Sequence, residues 1–393
     1  DITSTVTATG NKFDIKKQNG DTVIKNVGLY LGAHTDENEF HLVVENNTKS
    51  EETAALYTIP EGKTSLPAGS TVKDTAGNPV ELTDALKWKA ADKETGKITL
   101  KTVTAAPSGV AAIGSTGYAT LAEAIKAATK GATVKLLRDT KENVTIDKAM
   151  TLDLNGFTIN GSTGERKPAL TITARPVKIQ DSSEAQTGTI MREDTAENSG
   201  VSSHYVIDIQ GNAWVTFESG KVTNNSGNIK GKGASLVRVG DDSVAKYPGL
   251  VINGGTFTQD NFIVIKVDRG YLTLNDGTLS SANSYAVENW FRATIKGGTV
   301  NGAVSSWTYS GGSNSTLTIS GGAVNGDVTS VNYGNANKVA KVAITGGTVT
   351  GELDTRSYDP ATGALTSITD AAKSTIEITG GTFSSDPTKY VVE

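Results

Sequence analysis

LVINGGTF (250–257), LTLNDGTL (272–279), ATIKGGTV (293–300), LTISGGAV (317–324), VAITGGTV (342–349) and IEITGGTF (376–383) repeat one pattern. It reads apolar-x-apolar-x-Gly-Gly-Thr-apolar, with single departures in two of the six. The second glycines stand at 255, 277, 298, 322, 347 and 381, so the steps are 22, 21, 24, 25 and 34 residues. A step of this size is one coil of a parallel β-helix, with the long step marking an insertion at a coil corner. Alternation in a run such as LTIS buries one face of a strand. The glycine pair then supplies a positive φ or a close backbone approach at a turn, and Thr-apolar opens the next strand. Leucine-rich repeats are excluded because their Leu/Asn spacing is missing, and propeller blades because they need about 40 or more residues. A β-sandwich with coincidental Gly-Gly turns is the competing reading, against six matched octamers.

Working back toward the N-terminus, YATLAEAIKAATK (118–130) is the one helical segment. Thr120 and Glu123 form a capping box, Leu121, Ala124, Ile125 and Ala128 share a face, and Lys130-Gly131 ends it. Such a helix covers the open end of a solenoid, which would otherwise offer an unpaired edge. Strand-like runs follow at 133–139, 143–147, 150–159, 169–174 and 176–182, and the region 185–250 carries longer loops. Residues 1–105 lack the glycine repeat. Their alternating runs TSTVTAT (3–9), TVIKNVGLYL (22–31), EFHLVVEN (39–46) and KITLKTV (97–103), with turn signals between, predict roughly seven short strands. That is the size of a β-sandwich-like domain. The expected organisation is all-β: a sandwich-like domain over 1–105, a linker over 106–117, and a helix-capped right-handed parallel β-helix over 118–393.

Composition narrows the function. The 393 residues include 43 glycines, three histidines and no cysteine, with a formal charge of −5. No disulfide framework, thiolate metal site or cysteine nucleophile is available. No metal and no cofactor is expected. An acidic balance argues against nucleic acid, which needs a basic footprint. No run of apolar residues is long enough for a membrane-spanning helix, so no membrane insertion is expected. The chain opens at Asp1 without a leader, as an excised or processed piece would.

Two stretches carry a resemblance. VAAIGSTGYATLAEAIKAATKGATVKLLRDTKENVTIDKAMTLDLNGFTI (110–159) resembles the entry segment of pectate-lyase-like β-helix domains in cell-surface and secreted proteins of Gram-positive gut Firmicutes. ITGGTFSSDPTKYV (378–391) is similar to the closing motif of the same domains. The resemblance implies an extracellular or cell-surface location, an adhesin-like role and membership of a longer cell-wall-anchored chain. It also brings in the polysaccharide lyases and glycoside hydrolases of that superfamily. The Gly-His-Gly and Arg-x-Lys signatures of the hydrolases are absent, no calcium-binding set of aspartates with a catalytic arginine assembles on one face, and Asp241-Asp242 reads as a solvated turn. His204 is the one histidine of the solenoid, in a Ser-Ser-His-Tyr loop.

Aligning the coils places a further strand after each Gly-Gly-Thr, in VIKVDRG (264–270), AVENWFR (286–292), VSSWTY (304–309), VTSVNY (328–333) and LDTRSY (353–358). Ile265, Val287, Val304, Val328 and Leu353 then stack inward. Lys266 and Asp268, Glu288 and Trp290, and Ser305 and Trp307 point outward. Trp290 and Trp307 fall on adjacent rungs about 4.8 Å apart. Stacked exposed aromatics beside carboxylates suit sugar rings, so Trp290, Trp307, Glu288, Lys266 and Asp268 are the expected ligand-binding residues. Packing of both tryptophans under a loop is the competing reading. An acid–base pair among Lys266, Asp268, Arg269, Glu288 and Arg292 competes with an ordinary solvated salt-bridge ladder. Trp88 and Trp214 are expected in a core or between domains. Three functions follow: a noncatalytic module binding a glycan or host surface protein, a polysaccharide lyase or hydrolase, or a structural stalk.

Overall fold

A computed structural model describes residues 109–393, apart from 166, 194–204, 225–233, 242–245, 310–312, 335–336 and 393, together with the backbone of seven short strands between residues 4 and 72. His204 and Trp88 lie outside the described residues. The chain divides into two compact units, Asp1–Ala119 and Thr120–Glu393.

The second unit is a stack of coils, each made of three short strands that pair in parallel with the coil before. The first face begins with Ala132–Leu136, Met150–Asp153 and Val177–Gln180 and ends with Ser374–Phe383. Its inner row is one unbroken aliphatic and aromatic ladder. Val134 sits on Leu152, then Ile179, Phe217, Ile252, Leu274, Ile295, Ile319, Ile344 and Ile378 follow in register. All are buried. Each side chain thus packs against its equivalent above and below, and the core grows by repetition rather than by one central mass.

The octamers provide the first corner. The second glycine of each has a positive φ. At Gly298 (φ 74°) a Cβ would lie 2.5 Å from the Gly277 carbonyl oxygen of the preceding coil, so a side chain is excluded by both conformation and space.

The third face carries two inner rows. Ile265, Val287, Val304, Val328 and Leu353 align as the coil alignment predicts, and Val144, Leu170, Ile207 and Val237 extend the row through the earlier coils. The second row changes character along the stack. It runs Ile146, Ile172, Ile209, Val239 and Val267, then turns to Asn289, Ser306, Ser330 and Thr355, all buried. Their hydrogen bonds go to the next corner. Asn289 Nδ2 donates to the Thr316 carbonyl at 3.0 Å, Ser306 Oγ to Ser315 Oγ at 2.9 Å, and Ser374 Oγ to Ser330 Oγ at 2.9 Å.

The helix is shorter than the sequence pattern suggests, Leu121–Ala127. Thr120 Oγ1 accepts from the Glu123 amide at 3.1 Å, and Leu121, Ala124, Ile125 and Ala128 are buried as expected. Part of the capping comes from the first coil: the Glu142 carboxylate accepts from the Leu121 and Ala122 amides at 2.9 and 3.0 Å. At the other end Lys148 Nζ donates to the Lys126 and Ala128 carbonyls at 2.6 and 3.3 Å. Both ends therefore carry the charge that complements the helix dipole. Gly131 (φ 84°) serves the turn into the first strand rather than a helix C-terminus. At the far end of the stack Tyr390 is buried, and Val391 bridges in parallel to Ile378.

Of the sandwich-like domain expected over 1–105, the described residues are the backbone of seven short strands; the expected strand KITLKTV (97–103) lies outside them. Ser4–Thr9 pairs in parallel with Phe40–Glu45, which pairs in parallel with Thr71–Val72. Lys12–Phe13 with Thr48–Lys49, and Val27–Tyr30 with Ala55–Thr58, are also parallel. Period-two alternation buries one face in parallel and antiparallel pairing alike, so it does not separate the two. The expected linker 106–117 contains strand: Ala111–Ile113 and Thr116–Tyr118 form an antiparallel hairpin.

Candidate functional site

The outer side of the third face bears an unusual density of charge and aromatic rings. One outward row reads Asp208, Arg238, Lys266, Glu288, Ser305, Thr329 and Asp354, aligned rung by rung. Each member is outward because its strand neighbours on both sides fill the core. The next outward row contains Asp268, Trp290, Trp307, Val331 and Arg356, with Trp307, Val331 and Arg356 in direct register. All five expected ligand-binding residues, Trp290, Trp307, Glu288, Lys266 and Asp268, thus meet on one surface.

That surface is not the open platform expected. Trp307 is 7% exposed and Trp290 half-buried. The two rings stack at 5.3 Å with planes 27° apart. Tyr285 closes on Trp307 edge-to-face at 6.2 Å, and Tyr358 meets its other side at 5.8 Å. Tyr333 approaches Trp290 at 6.0 Å and stacks on Tyr358 at 4.8 Å. Large side chains from neighbouring rungs roof one another, which a single-strand alignment does not convey. The indole nitrogens are satisfied within the cluster: Trp290 Nε1 donates to Glu288 Oε1 at 2.8 Å and Trp307 Nε1 to Ser305 Oγ at 2.7 Å.

The charged groups are similarly enclosed. Arg238 forms a bidentate pair with Asp208, both contacts at 2.9 Å, reaches Asp241 at 3.2 Å and lies 4.8 Å over the Tyr205 ring. The Asp241 part of the expected solvated turn is therefore tied to the ladder. Lys266 Nζ pairs with Asp268 Oδ1 at 2.9 Å. Burial pushes the Glu288 carboxyl above its ordinary pKa, against the opposing pull of the Trp290 N–H and Lys266. Burial also raises Asp268, despite Lys266 beside it. Lys266 is lowered by burial, but the Asp268 carboxylate more than offsets this and leaves it above its usual value. Of the five residues expected in a solvated ladder or an acid–base pair, Lys266, Asp268 and Glu288 form a buried, internally paired network, whereas Arg269 is half-buried and Arg292 is exposed on the first face.

Beside the roofed aromatics lies an open groove of about 600 Å³, at the corner that leads from Thr278–Ser280 and its stacked equivalents into the third face. Asn283, Tyr285, Asn325, Asp327, Thr329 and Arg356 contribute to its walls. Thr329 Oγ1 is buried and makes no hydrogen bond. Arg356 is held by Asp354 at 2.8 Å. Tyr285, Tyr333, Tyr358 and Arg238 were not among the expected site residues. The recurring final tyrosine of VTSVNY and LDTRSY was the signal available for two of them. Trp214, expected in a core or between domains, stands outward at the start of Trp214–Phe217 on the first face, 6.2 Å from Tyr271. Among the described residues no cluster of three or more His, Cys, Asp or Glu side chains has the arrangement of a metal site, and no helix is long and apolar enough to cross a membrane.

No protein-family model, curated protein or solved structure matches this chain.

Proposed function

We propose that the chain is a noncatalytic, adhesin-like β-helix module that works outside the cell, at or near the surface of a Gram-positive bacterium. It binds a glycan or a host surface protein through the outer side of its third face. The observation that supports this most is the 600 Å³ groove, walled by Tyr285 on one side and by Asn283, Asn325, Asp327 and the unpartnered Thr329 hydroxyl on the others. A ring face next to several short polar side chains suits a sugar, which offers an apolar C–H face and a fringe of hydroxyls. The network of Lys266, Asp268 and Glu288 acts as a stiff foundation for the groove. Its acids are buried and engaged with Lys266 and Trp290, which favours binding over acid–base turnover. The resemblance to pectate-lyase-like surface domains supports the extracellular setting.

A glycan array probed with the full chain, alongside Tyr285→Ala and Thr329→Val, tests the reading. Retention of a glycan by the parent and its loss by both variants supports it. Binding that both variants retain, or cleavage of a bound polysaccharide by the parent, overturns it.

A further inference from the structure

A second aromatic surface lies on the first face, away from the corner that holds the groove. Trp214, Gly249, Tyr271, Arg292 and Thr316 occupy one outward row on five successive coils. Beneath them Val215, Leu250, Leu272, Ala293 and Leu317 fill the core, so the row is carried on a rigid sheet. The glycine has a specific role. A Cβ on Gly249 would lie 2.5 Å from Cε3 and Cζ3 of Trp214, so the indole lies across that rung and is possible only because the rung is bare. Tyr271 comes next at 6.2 Å. Tyr247, from the corner before Gly249–Ile252, meets Phe291 at 5.0 Å and Tyr271 at 6.4 Å, and Phe291 and Tyr271 lie 5.5 Å apart. Four rings therefore form a continuous platform.

This platform is open where the third-face cluster is roofed. Tyr247 is 43% exposed and Tyr271 36%, while Phe217 and Phe257 nearby are fully buried. Cations border it. Arg175 lies 6.0 Å over Trp214 and Arg292 lies 5.3 Å over Phe291. Both arginines are exposed, and neither forms an ion pair among the described residues. Arg292 is steadied by donating from Nη1 to Thr316 Oγ1 at 3.0 Å. Next to the platform is a cleft of about 360 Å³, lined by Thr173, Gln210, Gly211, Asn212, Asp241 and Lys246. Lys246 precedes Tyr247 in the chain and Asn212 stands two residues before Trp214, so cleft and platform share an edge. Asp241 is the carboxylate of that lining, and Arg238 already holds it at 3.2 Å. Among the described residues the local excess is positive, in a chain of net charge −5.

We infer that the Trp214–Tyr247–Tyr271–Phe291 platform and its adjoining cleft are a second binding site, for a sugar chain whose rings carry carboxylate or sulfate groups. The C–H face of a pyranose stacks on Tyr271 and Tyr247. Arg175, Lys246 and Arg292 take the anionic substituents, Arg by its planar fork. Asn212, Gln210 and Thr173 supply donors and acceptors for hydroxyls. A neutral sugar leaves three cations without a partner, and an apolar protein surface would have to bury them unpaired, which is costly. The inference rests on the reading of the chain as a glycan-binding module but assigns a different surface and a charged ligand.

Calorimetry with the full chain tests it, using hyaluronan and chondroitin sulfate hexasaccharides as charged probes and chitohexaose as the neutral one. The expected result is binding of at least one charged probe, weakened by added salt and little or no binding of chitohexaose. Tyr271→Ala is expected to weaken binding at least tenfold. Arg175→Gln, at an exposed position far from the core, is expected to weaken it without altering the melting curve and to flatten the salt dependence. Absence of binding by both charged probes, equal binding of chitohexaose, or unchanged binding by Arg175→Gln and Tyr271→Ala would overturn the inference. So would a dimer of the parent that Tyr247→Ala converts to monomer, since the platform would then be an interface between copies. Tyr285→Ala separates the two sites. Loss of charged-probe binding in Tyr285→Ala but not in Tyr271→Ala places the sugar in the groove and sinks the platform. The opposite pattern upholds the platform as the site of the charged sugar and leaves the groove to the glycan array.

Discussion

Trp290 and Trp307 stack at 5.3 Å on adjacent rungs, yet they have unequal access to solvent: Trp307 is closed in by Tyr285 and Tyr358 and is 7% exposed, whereas Trp290 is half-buried. The pair therefore divides its work. Trp307→Ala is expected to behave as a core truncation, costing about 3–5 kcal/mol. For a unit of this size that is a fall in Tm of roughly 6 °C or more. Trp290→Ala should cost less than half as much. Thermal melts of the two variants check the ordering; equal and small losses would show that both rings are surface groups.

The buried Glu288 carboxyl gives the stability a definite pH dependence. Its folded pKa is raised above the ordinary value of 4.5, so the folded chain holds that proton more tightly than the unfolded chain. Its contribution is full below the unfolded pKa and is lost as pH rises through the folded one. Asp268, also raised, acts with the same sign. Glu288→Gln keeps an acceptor for Trp290 Nε1 and removes the titration. Its Tm is expected to match the parent at about pH 4 and to exceed it at about pH 8. A gap that is the same at both values would show that Glu288 has the same pKa in the folded and unfolded chain.

Glu142 reaches across from the first coil to the first two amides of the helix. Glu142→Ala leaves both without that acceptor and removes a favourable charge from the helix N-terminus. A loss of about 1–2 kcal/mol is expected. Hydrogen exchange should rise first at Leu121 and Ala122. Unchanged protection there would mean that water replaces the carboxylate at no cost.

Gly298→Ala is expected to destabilise the stack by more than the ~1 kcal/mol typical of an exposed helical glycine change. Its φ of 74° is strained for alanine, and the new methyl would meet the Gly277 carbonyl. Gly363→Ala, also at positive φ but with open space around it, is the control. Denaturant melts should show the larger loss at Gly298; equal losses would mean that strain alone, not the stacked carbonyl, sets the requirement.

Much of this arrangement was legible because the octamers repeat. Spacing, inner ladder and the outward rows at 266–268, 288–290 and 305–307 all follow from aligning one coil on the next. What alignment could not give was the reach of side chains between rungs. Trp307 looks exposed on its own strand, and Trp290, Tyr285 and Tyr358 from other coils bury it. Trp214 was misplaced for the related reason that its ring rests over Gly249, 35 residues on in sequence, and nothing local to Trp214 signals that bare rung. In residues 1–105 alternation predicted strands, but it is blind to their relative direction; the strands described between residues 4 and 72 pair in parallel.

The change from Val267 to Asn289, Ser306, Ser330 and Thr355 along one inner row has a consequence for how the later coils find their phase. A stack of purely aliphatic rungs tolerates sliding by two residues, since one methyl row would replace another. Here such a slide would drive an amide or hydroxyl into the place of Val287, Val304, Val328 or Leu353, stranding polar atoms at about 1–3 kcal/mol each. The interior of these coils is keyed like a lock, each rung accepting the next in one position only. That fixes the spacing of the outward side chains as well, so the grooves and platforms outside inherit their geometry from hydrogen bonds inside.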